Sequence, residues 1–227
     1  MEILTGPTWG PASGGRPKQL VVLCHGLGAD GDDLIDLAPY WSQAVPDAAF
    51  SSPHAPSPYD MLPPGSGMPG RQWFSIGNFD LAALTSGVRE ARAALDAYLD
   101  AELKRLELPP DAYALMGFSQ GAMTVLFTGL RRPVPPRGIL AYSGALMAPE
   151  TLAAEITGKP PVLLVHGKAD PVVPVSRSQE AERSLREAGV PVQSLYPPQL
   201  AHGIDEAGLS AGALFLQHIF APSRQAA

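Results

Sequence analysis

A serine at 119, an aspartate at 170 and a histidine at 202 are the residues of this chain whose types and order could do nucleophilic chemistry. A serine hydroxyl is a weak nucleophile until a base takes its proton. That base in turn needs a third group to fix its tautomer and stabilise its charged form. Ser119 lies in Gly117-Phe118-Ser119-Gln120-Gly121, a Gly-x-Ser-x-Gly pattern. Glycines on both sides leave room for the strained turn that lifts a hydroxyl above the end of a sheet. The pentapeptide alone is weak, because glycine and serine are common and a chance match is expected in roughly one chain in ten of this size. The elements that would position the three residues must therefore decide.

Those elements are legible as apolar runs separated by Gly/Pro punctuation. Gln19 to Cys24 reads as a strand buried on both faces, ending at His25-Gly26. Asp32 and Asp33 open a helix carrying Leu34, Ile35, Leu37 and Trp41. Ala48 to Ser51 is a weak strand, followed by a long loop, Ser52 to Phe79, which carries Met61, Leu62, Met68, Trp73 and Phe74. Asp80 begins an amphipathic helix with Leu81, Leu84, Val88, Ala91, Leu95, Tyr98 and Leu99 on one face, reaching about Leu106. Ala112 to Met116 and Gln120 to Leu130 read as strand and helix around the serine. Gly138 to Ser143, Pro161 to His166 and Val192 to Tyr196 are further strands. Helices are expected from Ser176 to Ala188 and from Asp205 to Phe220. Alternating strands and helices mean a mostly parallel sheet covered on both faces, an α/β fold, with chemistry at the strand ends.

On that frame Asp170 falls four residues past one strand, and His202 falls in the loop before the closing helix. The chain order Ser, Asp, His is the one α/β-hydrolases use. Transition-state charge also needs donors. The elbow supplies the backbone N–H of Gln120, and the loop His25-Gly26-Leu27-Gly28 is expected to supply that of Leu27.

Composition excludes other classes. A net charge of −6, a pI of about 5.3 and no basic run beyond Arg131-Arg132 argue against a nucleic-acid surface. The uncharged stretch Ala114 to Leu130 is long enough to suggest a membrane span, but the glycines, serine and glutamine at its centre do not suit one. The start lacks a basic and an apolar signal region, so the cytoplasm is the expected compartment. Cys24 is the single cysteine and is read as core packing. His25, His54, His166 and His218 have no carboxylate or cysteine at metal-ligand spacing, and no metal or cofactor is expected. Gly26, Gly28 and Gly31 mimic a dinucleotide fingerprint, yet Phe50, Ser51 and Ser52 stand where a ribose-binding acid belongs.

The set His25-Gly-Leu-Gly-Ala-Asp-Gly31, Trp73-Phe74, Gly117 to Gly121, Gly167-Lys-Ala-Asp-Pro-Val-Val-Pro174 and His202-Gly203 closely resembles the phospholipase/carboxylesterase family. That family includes bacterial carboxylesterases and acyl-protein thioesterases. The match runs from about Leu20 to Phe220. The resemblance implies an α/β-hydrolase fold and a Ser119-Asp170-His202 triad. It further implies an oxyanion hole from the Leu27 and Gln120 amides, no metal, and frequent homodimers. The stretch from Gly144 to Pro160 is too short for the cap domain that such folds commonly insert between strands near the acid, so no large cap domain is expected. Two positions depart from the common pattern: Ser75 stands where an acid often follows the tryptophan, and Ala201 where a glycine commonly precedes the histidine. The first bears on the pocket and hence on substrate identity.

The expected protein is thus one domain over residues 1–227, a serine hydrolase cleaving small-molecule carboxylic esters of short to medium acyl chains. Trp73 and Phe74 are divided between pocket wall and loop anchor. A thioesterase or lysophospholipase for long acyl chains is the second reading. A hydrolase fold used only for binding is the third.

Overall fold

A computed structural model of the chain describes residues 3–61, 70–77 and 81–221. Its strands are β1 (Thr8–Trp9), β2 (Gln19–Cys24), β3 (Ala48–Ser51), β4 (Ser57–Pro58), β5 (Arg71–Gln72), β6 (Tyr113–Phe118), β7 (Ile139–Tyr142), β8 (Val162–Val165) and β9 (Val192–Leu195). Seven of them form one sheet in the order β1-β3-β2-β6-β7-β8-β9. Every pairing is parallel except β1 with β3.

Period-two side chains explain why this sheet lies between two layers. Along β2, Leu20, Val22 and Cys24 pack on one face with Val88, Leu95 and Leu99, while Val21 and Leu23 pack on the other with Trp41 and Phe215. All five of these β2 residues are fully buried. The covering helices are α1 (Gly31–Ile35), α2 (Ala38–Trp41), α3 (Leu81–Arg105), α4 (Gln120–Gly129), α5 (Leu152–Glu155), α6 (Ser176–Glu187) and α7 (Glu206–Phe220). Between β7 and β8 stand only a 3-10 turn, Pro149–Thr151, and the four-residue α5, in agreement with the expected absence of a large cap. The uncharged run around Ser119 is accounted for by β6 and α4, the helix being buried at every residue but Met123. No described helix is long and apolar enough to cross a membrane.

Several expected elements change. The single helix expected after Asp32 is two short ones, because Pro39 in the first turn of α2 has no N–H for the Ile35 carbonyl and its ring clashes there. The leader contributes β1, whose Trp9 packs edge-on against Phe50 with ring centroids 6.1 Å apart. The loop expected from Ser52 to Phe79 contains the antiparallel pair β4 and β5, with Ser57 opposite Gln72. Leu62, Met68, Phe79 and Asp80 lie outside the described residues.

Arg131 and Arg132, a minor basic run in the sequence, are both buried and tie α4 to its neighbours. Arg131 donates to Glu155 at 2.6 Å and stacks over Phe127 at 3.9 Å, while Arg132 pairs with Asp96 at 2.9 Å and Asp100 at 2.6 Å on α3. The hydrogen bond from Arg89 holds the Glu155 carboxyl down at about 2, against an opposing effect of burial, with Arg131 and Thr151 adding to it. Glu155→Gln leaves the Arg131 guanidinium uncompensated and is expected to cost about 1.5–3 kcal/mol at pH 7, measured by urea unfolding. A depressed carboxylate stabilises fully above its unfolded value. The difference between wild type and variant should therefore close as pH falls from 4.5 toward about 2.

Candidate active site

The elbow is built by steric exclusion. Ser119 sits between β6 and α4 with φ 54° and ψ −116°, a conformation that costs a non-glycine residue free energy and persists only when its surroundings hold it. They do so tightly. A Cβ on Gly121 would stand 1.9 Å from the Cys24 carbonyl oxygen, and one on Gly117 would stand 2.4 Å from the Gly121 carbonyl. The Ser119 N–H donates to Tyr142 O at 2.9 Å, fastening the turn to β7. The serine itself is 9% exposed, open to the cavity described below.

Asp170 and His202 meet because two loops after β8 and β9 touch. A Cβ on Gly167 would fall 2.0 Å from Leu200 O, and Ala169 N donates to that same carbonyl at 3.1 Å. His202 Nδ1 then lies 2.7 Å from Asp170 Oδ2. The other carboxylate oxygen accepts the N–H groups of Val172 at 2.8 Å and Val173 at 2.9 Å. Burial works to raise the Asp170 pKa, but the His202 bond and the two amides outweigh it and leave the carboxyl below its ordinary value. An anionic Asp170 makes Nδ1 the donor, so Nε2 of neutral His202 presents its lone pair. The His202 ring packs on Phe118, the residue before the serine, at 4.8 Å between centroids.

A second loop closes over the elbow from β2. His25 is buried, and Ala55 N donates to its Nε2 at 3.0 Å, so Nδ1–H donates to Gly26 O at 2.7 Å. Burial lowers its pKa and keeps the ring neutral. Gly28, at φ 81°, donates to Arg71 O at 2.8 Å. A Cβ on Gly26 would be 3.4 Å from the Ser119 Cβ. Between these anchors the Leu27 N–H has no acceptor among the described residues. The Gln120 N–H opens the first turn of α4, where no intrahelical carbonyl reaches it.

The Gln120 side chain has a use the sequence did not reveal. Its Oε1 accepts from Trp73 N at 2.8 Å and its Nε2 donates to Phe74 O at 2.7 Å. The two residues left open between pocket wall and loop anchor thereby take one role each. Phe74 lines the cavity, whereas Trp73 is buried and donates its indole N–H to His25 O at 3.0 Å. The cavity has a volume of about 630 Å³ and reaches Ser119, Gln120 and Leu27. Its walls are mostly apolar, with Ile76, Leu84, Met123, Leu146 and Met147, and its outer part carries Glu150, Arg177 and Glu180. Leu146 and Met147 come from the turn after β7, which carried no chemical signal in the sequence. Asp30, Asp32 and His54 place ligand atoms within 4.8 Å of one another. Asp30 is, however, engaged as the cap of α1, and His54 Nδ1 accepts from Gly31 N at 3.0 Å.

A seven-stranded, mostly parallel sheet with a strained serine at one strand end and an Asp–His pair at two later ones defines an α/β-hydrolase. The chain belongs to the phospholipase/carboxylesterase family, whose family model matches residues 12–220. It is accordingly a hydrolase of carboxylic esters. It is 30% identical to esterase YpfH of Escherichia coli over 195 residues, covering 83% of this chain and 77% of that one. With acyl-protein thioesterase 1 of Neurospora crassa it shares 32% over 201 residues, covering 82% and 81%. The crystal structure of esterase PE8 superposes with a TM-score of 0.88 at 41% identity, over 96% of this chain and 100% of the other.

The close approach at Gly121 is open to a direct test. Gly121→Ala should lower stability by more than about 4 kcal/mol or prevent folding. Gly15→Ala, where a Cβ meets nothing within 4 Å, should leave the melting temperature within a degree or two.

Proposed function

We propose that Ser119 is the nucleophile, His202 the general base and Asp170 the group that orients it, in a carboxylesterase acting through an acyl-enzyme. The observation that carries this is the 2.7 Å bond from His202 Nδ1 to Asp170 Oδ2, with the ring packed on Phe118, the residue before a serine held at φ 54°. His202 Nε2 takes the hydroxyl proton as Ser119 Oγ attacks the acyl carbonyl. The N–H groups of Leu27 and Gln120 receive the charge that develops on the carbonyl oxygen. The imidazolium, stabilised by Asp170, returns its proton to the departing alcohol, and water repeats the sequence to release the acid. No cofactor or metal enters the scheme.

The substrate is a small carboxylic ester of short to medium acyl length, its apolar part lying against Phe74, Met123 and Met147. The volume of about 630 Å³ lies within the range of small-molecule sites. Adaptable methionines and the absence of a large cap also favour a second reading, in which a long acyl chain reaches the site on a thioester or lysophospholipid. We place the protein in the cytoplasm as one catalytic domain that meets neither nucleic acid nor membrane interior. Pairing into a homodimer belongs to the same proposal.

Ser119→Ala should reduce hydrolysis of a short p-nitrophenyl ester on the order of 10⁴-fold or more while circular dichroism is unchanged. It should also abolish labelling by a fluorophosphonate. Retained hydrolysis or labelling overturns the nucleophile, and an unlabelled, inactive wild type favours a binding module. A series of acyl lengths on one leaving group separates the two substrate readings: kcat/KM falling beyond medium chains supports the first, and a continued rise supports the second.

A further inference from the structure

Arg71, in the short strand β5, takes no part in the chemistry, yet its backbone and its side chain both hold the surroundings of Leu27. Arg71 O accepts the Gly28 N–H at 2.8 Å, and the Arg71 N–H donates to Ala29 O at 2.9 Å. The half-buried side chain donates twice to backbone carbonyls, from Nε to Ala55 O and from Nη2 to Pro56 O at 3.1 Å. Ala55 carries the connection onward. Its N–H donates to His25 Nε2 at 3.0 Å, and His25 Nδ1–H holds Gly26 O at 2.7 Å. These bonds close a ring that runs from Gly26 O through His25 and Ala55 to the Arg71 guanidinium, and from the Arg71 backbone to Gly28 and Ala29. Leu27 is the residue the ring encloses, and it lines the cavity together with Ser119.

The same segment reaches the other amide of the site. Trp73 N donates to Gln120 Oε1 at 2.8 Å, and Phe74 O accepts from Gln120 Nε2 at 2.7 Å. Residues 71–74 thus touch the loop that carries Leu27 at one end and the first residue of α4 at the other.

We propose that Arg71 is the positioning residue of the oxyanion hole, its guanidinium locking the 26–29 loop so that the Leu27 N–H meets the carbonyl oxygen as it becomes charged. The inference rests on the reading of the Leu27 and Gln120 amides as the donors. The side chain is needed because the ladder beside it is weak. β4 and β5 pair over two residues, with Pro58 opposite Arg71, and a proline has no N–H to give. The two guanidinium bonds to residues 55 and 56 supply the missing attachment. A donor fixed in advance acts on the transition state far more than on the bound ester, because the charge it meets develops only there. A brace that served the β4–β5 pair alone would change stability without that selectivity.

The test compares wild type, Arg71→Met and Arg71→Lys in p-nitrophenyl ester hydrolysis and in inhibition by an alkyl trifluoromethyl ketone, with a melting temperature for each. Ser119 Oγ adds to the carbonyl carbon of that ketone, His202 takes the hydroxyl proton, and the ketone oxygen keeps the electron pair as an oxyanion. Arg71→Met keeps the length of the stem and removes the donors. Its kcat should fall roughly 10- to 100-fold, the size set by charge-assisted bonds and below the loss of a whole donor. Its KM should stay within twofold, and the inhibition constant of the ketone should rise by the same factor as kcat falls. Arg71→Lys puts one ammonium in place of two bonds and should lose roughly 3- to 10-fold in both. Wild-type kcat in a folded Arg71→Met overturns the proposal, as does a loss confined to KM or one that leaves the inhibition constant unchanged. Should Arg71→Met fail to fold, Arg71→Lys decides: kcat and the inhibition constant moving together support the proposal, and either one staying fixed overturns it. A ketone that binds wild type no more tightly than the ester would refute the oxyanion hole itself and not the Arg71 contact alone.

Discussion

Everything at this site depends on how closely the N-terminus of α4 approaches the C-terminal end of β2. The Cys24 and His25 carbonyls lie where a Gly121 side chain would be, at 1.9 Å and 2.6 Å from an ideal Cβ. Only a glycine lets the two backbones come that near, and that nearness sets the N-terminus of α4 beside the loop after β2. The positive φ of Ser119 follows from it, because the chain must turn from strand to helix within one residue. The strain is local and held by packing: β6 and α4 are buried along almost their whole length, and neither can relax without exposing core.

Around the elbow, the buried polar groups of Gln120, Trp73 and His25 satisfy one another in a closed set. Gln120 bridges Trp73 N and Phe74 O, Trp73 returns a bond to His25 O, and His25 holds Gly26 O and Ala55 N. A buried amide or imidazole without partners would cost more than it contributes, so such a ring of mutual contacts specifies one conformation. Two segments far apart in sequence, 25–28 and 71–74, thereby become one wall. The acid loop follows the same logic with a carboxylate at its centre, fed by two amides and one imidazole.

The buried arginines act one layer further out. Arg131 and Arg132 leave α4 at its far end and engage α3 and the α5 turn, so the helix that carries the elbow is fixed at both ends. Their charge is matched by Glu155, Asp96 and Asp100, which explains how a buried surface can carry two adjacent cations. A pair of basic residues read along the chain looks like surface charge; its burial depends on acids 24 to 36 residues away.

The sequence by itself determined the alternation of strand and helix and the elbow, and it pointed to Ser119, Asp170 and His202 as the residues of the proposed triad. Each of these is written in local periodicity, in glycine placement or in short motifs whose steric meaning does not depend on the rest of the chain. It also indicated that no large cap fits between Gly144 and Pro160. The tertiary structure decided what depends on distant segments. It broke the expected helix after Asp32 at Pro39, added β1 from the leader, and turned Trp73 into the core while leaving Phe74 in the cavity. It set Leu146 and Met147 in the cavity wall and joined His166 to Ser178 and the Val173 carbonyl. The physical reason is that a hydrogen bond or a shared wall between distant segments leaves no periodic or compositional trace. His166 and Gln120 have ordinary spacings along the chain, and their contacts exist only once β8, α6 and the 71–74 segment converge at the strand ends.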